Sequence, residues 1–193
     1  CDAAAGHIYM DGKDYHSMKP EELRKHIAMV PQQVNLFSGT IRENLLLADP
    51  DADDQTLMEA VKEAGLLKFV QSLEKGLNSD VGNAGASLSG GQRQKIGIAR
   101  ALLSKAEYMI FDEATSSVDP ESEKEIWETI GHLAHTRTLI IISHRMSSVR
   151  GADCIYVLKD GRVAQQGDHE TLMAQDGLYH ELVIRQQAME VAE

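Results

Sequence analysis

Long apolar runs are missing from this chain. No stretch of 18 apolar residues occurs in its 193 residues, whereas a helix needs roughly 20 to cross a bilayer. No part of it is expected to span a membrane as a helix, and no secretory leader is visible at its start. Membrane association would have to come through a partner or a further segment. Cysteine is scarce as well: Cys1 and Cys154 provide neither a metal-ligand spacing nor a disulfide framework, which fits a reducing compartment. Cys154 lies in an apolar stretch and is expected to be a buried thiol. Positive charge is also in short supply, with 19 Lys and Arg against 30 Asp and Glu and a formal net charge of −11. A nucleic-acid-binding surface usually carries a basic footprint; none is visible, so no nucleic-acid partner is expected.

One motif is absent that the rest of the sequence makes conspicuous. A phosphate-cradling loop reads G-x-x-x-x-G-K followed by Ser or Thr, its lysine and hydroxyl serving phosphates and Mg²⁺. Gly6 and Gly12 are separated by five residues and Lys13 is followed by Asp14, so this nearest approach is a decoy. Residues 6–12 instead alternate weakly and end in Asp-Gly, a strand-and-turn signal. What is present is 42% hydrophobic residues, enough for one domain with a real core.

The stretch from Leu88 to Asp119 carries two devices suited to phosphate chemistry. Ser89-Gly90-Gly91 directly precedes Gln92-Arg93-Gln94-Lys95-Ile96-Gly97-Ile98-Ala99-Arg100-Ala101-Leu102-Leu103, whose apolar positions suit one helix face. Ser89 stands where an N-cap belongs. A helix opening on Ser-Gly-Gly leaves its first N–H groups unscreened by side chains and turns its positive end toward an anion. The plain alternative is a capped helix with a flexible approach. A carboxylate at Gly91 is expected to leave the helix as stable as before, while repelling a phosphate. The second device is Tyr108-Met109-Ile110-Phe111, a buried-strand run that ends in Asp112 and Glu113. Ligands of open parallel sheets bind outside the carboxyl ends of the strands. There one acid can hold Mg²⁺ and its neighbour can take a proton from an attacking water. The alternative is a strand that runs out into a charged turn.

Leu88-Ser89-Gly90-Gly91-Gln92 resembles the signature motif of ATP-binding cassette (ABC) nucleotide-binding domains of the exporter type. Tyr108 to Glu113 resembles their Walker B strand with its catalytic glutamate, and Ser116-Ser117-Val118-Asp119 resembles the D-loop. The likeness covers essentially all of residues 1–193. It implies an α/β fold, a P-loop NTPase-like ABC ATPase core with an inserted α-helical subdomain at about 40–105. The remaining core would be 6–37 and 106–193, and its N-terminal part, with Walker A, would precede this chain. The cofactors it implies are ATP and Mg²⁺. By the same resemblance Asp112 orders the metal and Gln32, in the Q-loop position after the strand Ile27–Val30, completes its environment. Glu113 polarises the attacking water, and His144, in the switch position, holds the γ-phosphate. Leu88, Ser89, Gly90, Gly91 and Gln92 close over a nucleotide held mainly by a second ABC ATPase domain, and Asp119 communicates across that dimer. The implied partner is a transmembrane domain, with this domain at the cytoplasmic face of the membrane. A soluble ABC ATPase and a non-catalytic module that only donates its signature are the rival readings. Asn83 stands where exporter-type domains carry a glutamate that reaches toward the membrane helices.

The rest of the chain reads in short elements. Pro20–Arg24 opens a short helix with Pro first and acids in its first turn, and Ser38 or Thr40 can cap a helix over the residues that follow. The last aspartate of Asp51-Ala52-Asp53-Asp54 can cap a helix that runs to Leu73 with a break near Gly65. Pro120 starts a helix to about Ala134. Thr138-Leu139-Ile140-Ile141-Ile142 is continuously apolar and is expected to be a strand buried on both faces. Two strands joined by Asp160-Gly161 and two short helices, from His169 and from Leu178, close the sequence.

Overall fold

The computed structural model describes residues 5–116 and 118–190. Cys1 and Ser117, both singled out in the sequence, lie outside the described residues. Two compact units divide the chain, Cys1–Ile140 and Ile141–Glu193.

The first unit opens with a hairpin of β1 (Tyr9–Met10) and β2 (Lys13–Asp14), antiparallel as the Asp-Gly turn predicts. Asp11 and Gly12 have φ of 49° and 76°, the two positive values that a type I′ turn requires. Helix α1 (Pro20–His26) takes Pro at its start, Glu21 and Glu22 in its first turn and basic residues in its last, an arrangement that complements the helix dipole. It delivers the chain into β3 (Ile27–Val30), which pairs in parallel with β4 (Tyr108–Asp112), Ile27 opposite Tyr108 and Val30 opposite Phe111. β5 (Thr138–Ile142) completes the sheet order β3-β4-β5, its Thr138 N–H donating to the Glu107 carbonyl at 3.2 Å.

Between β3 and β4 comes the expected helical segment. Thr40 caps α2 (Ile41–Leu46) with a capping box to Glu43. Asp53 rather than Asp54 caps α3 (Asp54–Glu63), so the cap falls one residue earlier than the sequence suggests. Gly65, at φ 70°, separates α3 from α4 (Leu67–Ser72). Helix α5 (Gly90–Leu103) is the buried centre of this region; Ile96, Ile98 and Ala99 are wholly enclosed together with Leu45, Leu57 and Val61. Each Leu, Ile or Val among them contributes about 1.5–3 kcal/mol by leaving water. Helix α6 (Pro120–Leu133) follows β4 and buries Ile126 and Ile130.

The sheet corrects one expectation. Its strands bury one face, through Ala28, Val30, Met109 and Phe111, while Met29 is 55% exposed, Ile140 47% and Ile142 49%. A continuous apolar run reports the residue type; burial on both faces also needs a covering element on each side, and β5 instead alternates exposed and half-buried positions.

The second unit contains α7 (Met146–Val149), a four-residue helix without a sequence signal, then the antiparallel hairpin of β6 (Ile155–Lys159) and β7 (Arg162–Gly167). Asp160 and Gly161 again have positive φ, 52° and 73°. Helices α8 (His169–Ala174), capped by Asp168, and α9 (Leu178–Glu190) close a small core of Ile155, Val157, Leu172, Tyr179 and Val183. Cys154 is exposed, which corrects the buried-thiol expectation. Ile155 and Val157 point into the core, so the two-residue period of the strand turns 154 and 156 outward. Among the described residues no helix is long and apolar enough to cross a membrane.

Candidate functional site

The parallel register of β3 and β4 brings the carboxyl ends of both strands to one edge, so Gln32 and the Asp112-Glu113 pair emerge together. Gln32 donates from Nε2 to the Ser116 hydroxyl at 2.9 Å, a bond between residues 84 apart in sequence. This ties the segment after β3 to the turn after β4 and leaves the amide oxygen of Gln32 as its remaining polar atom. Asp112 is the last residue of β4 and is half-buried. Glu113, also half-buried, has φ 48°, a left-handed conformation that costs a non-glycine residue of order 1 kcal/mol and tends to mark functional turns. The turn is closed by the Ser116 N–H donating to the Glu113 carbonyl at 3.1 Å. The left-handed residue turns the backbone out of the line of the strand directly after Asp112.

The signature stretch has a more structural character than its sequence suggests. Ser89 caps α5, its hydroxyl accepting from the Gln92 N–H at 3.2 Å, while the Gln92 side chain accepts from the Ser89 N–H at 2.9 Å. This capping box occupies two donors of the helix start and leaves the N–H groups of Gly90 and Gly91 as those open to an anion. Leu88 is buried and its carbonyl accepts from Arg93 at 2.5 Å, so its side chain anchors the motif. Gly91 is buried too. A Cβ built there would lie 2.5 Å from both Cβ and Oγ of Ser122 on α6, a contact that real structures avoid. The expectation that a side chain at 91 leaves the fold as stable as before is therefore corrected: this glycine is where α5 and α6 approach closely.

Asp119 serves as the N-cap of α6, accepting from the Ser122 N–H at 2.9 Å. That backbone hydrogen bond, foremost, holds its carboxyl below the ordinary aspartate value. Asn83 lies in the loop before the signature and accepts from the Ser38 hydroxyl at 3.3 Å. His144 lies in the second unit, exposed, two residues beyond the end of β5. The sequence reading missed Ser116 as the partner of Gln32 and Ser122 as the neighbour of Gly91. Both stand within a few residues of a recognised motif, but only the fold pairs them across strands and helices.

Among the described residues no group of three or more His, Cys, Asp or Glu side chains converges as a metal cage. Asp112 and the amide oxygen of Gln32 are hard oxygen donors at one strand edge, a sparse set that suits Mg²⁺, which keeps several waters and binds through one or two protein groups plus substrate phosphates.

Comparisons with known proteins bear on the family and the fold. The family described as ABC transporter matches residues 1–116. The ATP-dependent lipid A-core flippase 1 of Colwellia psychrerythraea is 41% identical over 181 residues, which is 94% of this chain and 30% of the flippase. The human mitochondrial potassium channel ATP-binding subunit is 42% identical over 186 residues, 96% of this chain and 25% of that protein. A solved structure, that of a bacterial Atm1-family ABC exporter with ATP bound, superposes with a TM-score of 0.89 at 38% identity, covering 96% of this chain and 33% of the exporter. The chain thus spans about a third or less of the length of these relatives. With the family match over residues 1–116 and an exporter fold over nearly all of its length, this chain belongs to the ABC transporter family.

Proposed function

We propose that this chain is most of the ATP-hydrolysing domain of an ABC exporter and that its β3 and β4 ends act on Mg-ATP. The observation that carries the proposal is the Gln32–Ser116 bond at the strand edge that also presents Asp112 and Glu113. Asp112 and the Gln32 amide oxygen would hold Mg²⁺. When bound, that ion would neutralise charge on the phosphate oxygens, the main demand of phosphoryl transfer. Glu113 accepts a proton from the water that attacks the γ-phosphorus, forming the new P–O bond as the bond to the β-phosphate oxygen breaks. His144 donates a hydrogen bond to the γ-phosphate. The Gly90 and Gly91 N–H groups at the head of α5 face a nucleotide held by a second ABC ATPase domain, and Asp119 lies at that contact. The phosphate-cradling lysine, absent from this sequence, is supplied by residues outside it. A transmembrane domain, in the same or a partner chain, would place this domain at the cytoplasmic side of the membrane.

Hydrolysis of Mg-ATP by the full-length protein carrying Asp112→Asn tests the reading. The variant should lose turnover and need more Mg²⁺ for what remains. Parental turnover at the parental Mg²⁺ requirement would remove Asp112 from the metal site and the proposal with it.

A further inference from the structure

Residues 31–40 join β3 to α2 without regular secondary structure, yet they carry Gln32, whose placement the proposed chemistry depends on. A loop of this kind needs something else to hold it. The structure shows that α5 does so along one stripe of its surface, at positions spaced three apart.

Gln94 is only 3% exposed and donates from Nε2 to the Pro31 carbonyl at 3.0 Å. One turn on, Gly97 lets the segment approach so closely that a Cβ there would meet Val34 Cγ2 at 2.5 Å. A further turn on, Arg100 donates to the Asn35 carbonyl at 2.7 Å, and to the carbonyl and side-chain oxygen of Asn44 at 2.7 and 2.5 Å. Asn44, itself buried, closes the far end by accepting from the Phe37 N–H and donating to the Phe37 and Thr40 carbonyls, each at 2.9 Å. Residues 94, 97 and 100 share a helix face, and the loop lies along it. Pro31 donates no backbone hydrogen bond and precedes Gln32 directly, so the bond from Gln94 fixes the peptide from which Gln32 departs.

We infer that Gln94 is a positioning residue for Gln32: through the Pro31 carbonyl it sets where the Gln32 side chain stands at the β3 edge, and so ties the signature helix to the metal environment of the adjacent site. The inference rests on the reading of Gln32 as part of that environment. The bonds of Gln94 and Arg100 go to the loop and to Asn44. A purely structural Gln94 would satisfy the Pro31 carbonyl and nothing more. A positioning Gln94 transmits its effect through one named side chain, and that difference is measurable.

The test is a double-mutant cycle on ATP hydrolysis by the full-length protein, with kcat, KM for ATP and the Mg²⁺ concentration for half-maximal rate read for each variant. Gln94→Met keeps the volume and removes the donor. It should lower kcat by about 5- to 10-fold and raise the Mg²⁺ requirement, with KM for ATP nearly unchanged, since one net hydrogen bond is at stake. Gln32→Ala should lower kcat at least as much. Combined with Gln32→Ala, Gln94→Met should add little or nothing, because the group it positions is gone. Two additive losses, with Gln32→Ala itself impaired, would overturn the inference and leave the functional reading standing. A Gln32→Ala variant with parental kcat and parental Mg²⁺ requirement would overturn that reading and the inference together. Should Gln94→Met fail to fold, Gln94→Glu keeps the side-chain shape and presents no donor when ionised. In the same cycle a loss absorbed by Gln32→Ala supports the inference, and an additive loss overturns it.

Discussion

The acidic end of β4 and the glycine-rich head of α5 read alike in the sequence, each as a short motif that meets phosphate, but they are built differently. At the end of β4, Asp112 and Glu113 are half-buried and Glu113 is held at φ 48°, a conformation that weakens the fold slightly. At the head of α5, Ser89 and Gln92 are consumed in a capping box, Leu88 is in the core, and Gly91 is pressed against Ser122. On the proposed function, the first region carries chemistry at a small structural cost and the second carries structure and function in the same atoms. Substitutions should therefore separate activity from folding at the first and fail to do so at the second.

Neither region supplies a phosphate-cradling loop, and this yields the largest expected effect. Residues 1–193 alone, titrated with Mg-ATP in a calorimeter, should show no tight binding and no turnover; micromolar affinity would mean that the two regions suffice without a lysine loop. Next in size is Gly91→Ala. Replacing a helical glycine by alanine ordinarily stabilises by about 1 kcal/mol. Here the new methyl meets Ser122 Cβ at 2.5 Å, close to the α6 backbone, and overpacking of that kind costs about 1–3 kcal/mol. The overpacking should win: a thermal melt of the variant should fall below the parent, and a rise would show that α5 and α6 separate easily.

Much of this was legible from residues alone. Asp-Gly pairs marked both hairpins, Pro20 and Pro120 opened helices, Thr40 capped another, and the acids at 112 and 113 stood at a strand end as their position implied. What the sequence withheld were relations across space. Ile140 and Ile142 are apolar whether or not an element covers them. Cys154 looked buried because its neighbours are, although strand parity turns it out. Gly91 looked able to take a side chain at no cost to the fold because Ser122, thirty-one residues on, cannot be placed against it without the fold.

Ser89→Ala offers a smaller effect. It removes the cap hydroxyl from the Gln92 N–H and should cost about 1 kcal/mol in a denaturant titration. An unchanged midpoint would show that the Gln92 half of the box sustains the helix start alone. The smallest effect concerns pH. The carboxyl of Asp119 is held below its ordinary value, first by the Ser122 N–H. Its stabilisation is present above the unfolded aspartate pKa of about 3.9 and is lost as pH falls through the lower folded value. Asn at 119 still caps but does not titrate. Melts between about pH 6 and pH 3 should thus show a slightly smaller acid-induced drop for Asp119→Asn than for the parent, and equal drops would take Asp119 out of the acid response.

The contrast between the two regions is tested most directly by Glu113→Gln in the full-length protein, with ATP turnover and thermal stability measured on the same preparation. The substitution keeps size and hydrogen bonding while removing the base. The expectation is that turnover falls by about 10²–10⁴-fold while nucleotide binding and melting temperature stay at parental values. Parental turnover would contradict it, as would a loss of stability like that expected of Gly91→Ala, because the end of β4 would then be a structural turn and not the seat of the chemistry.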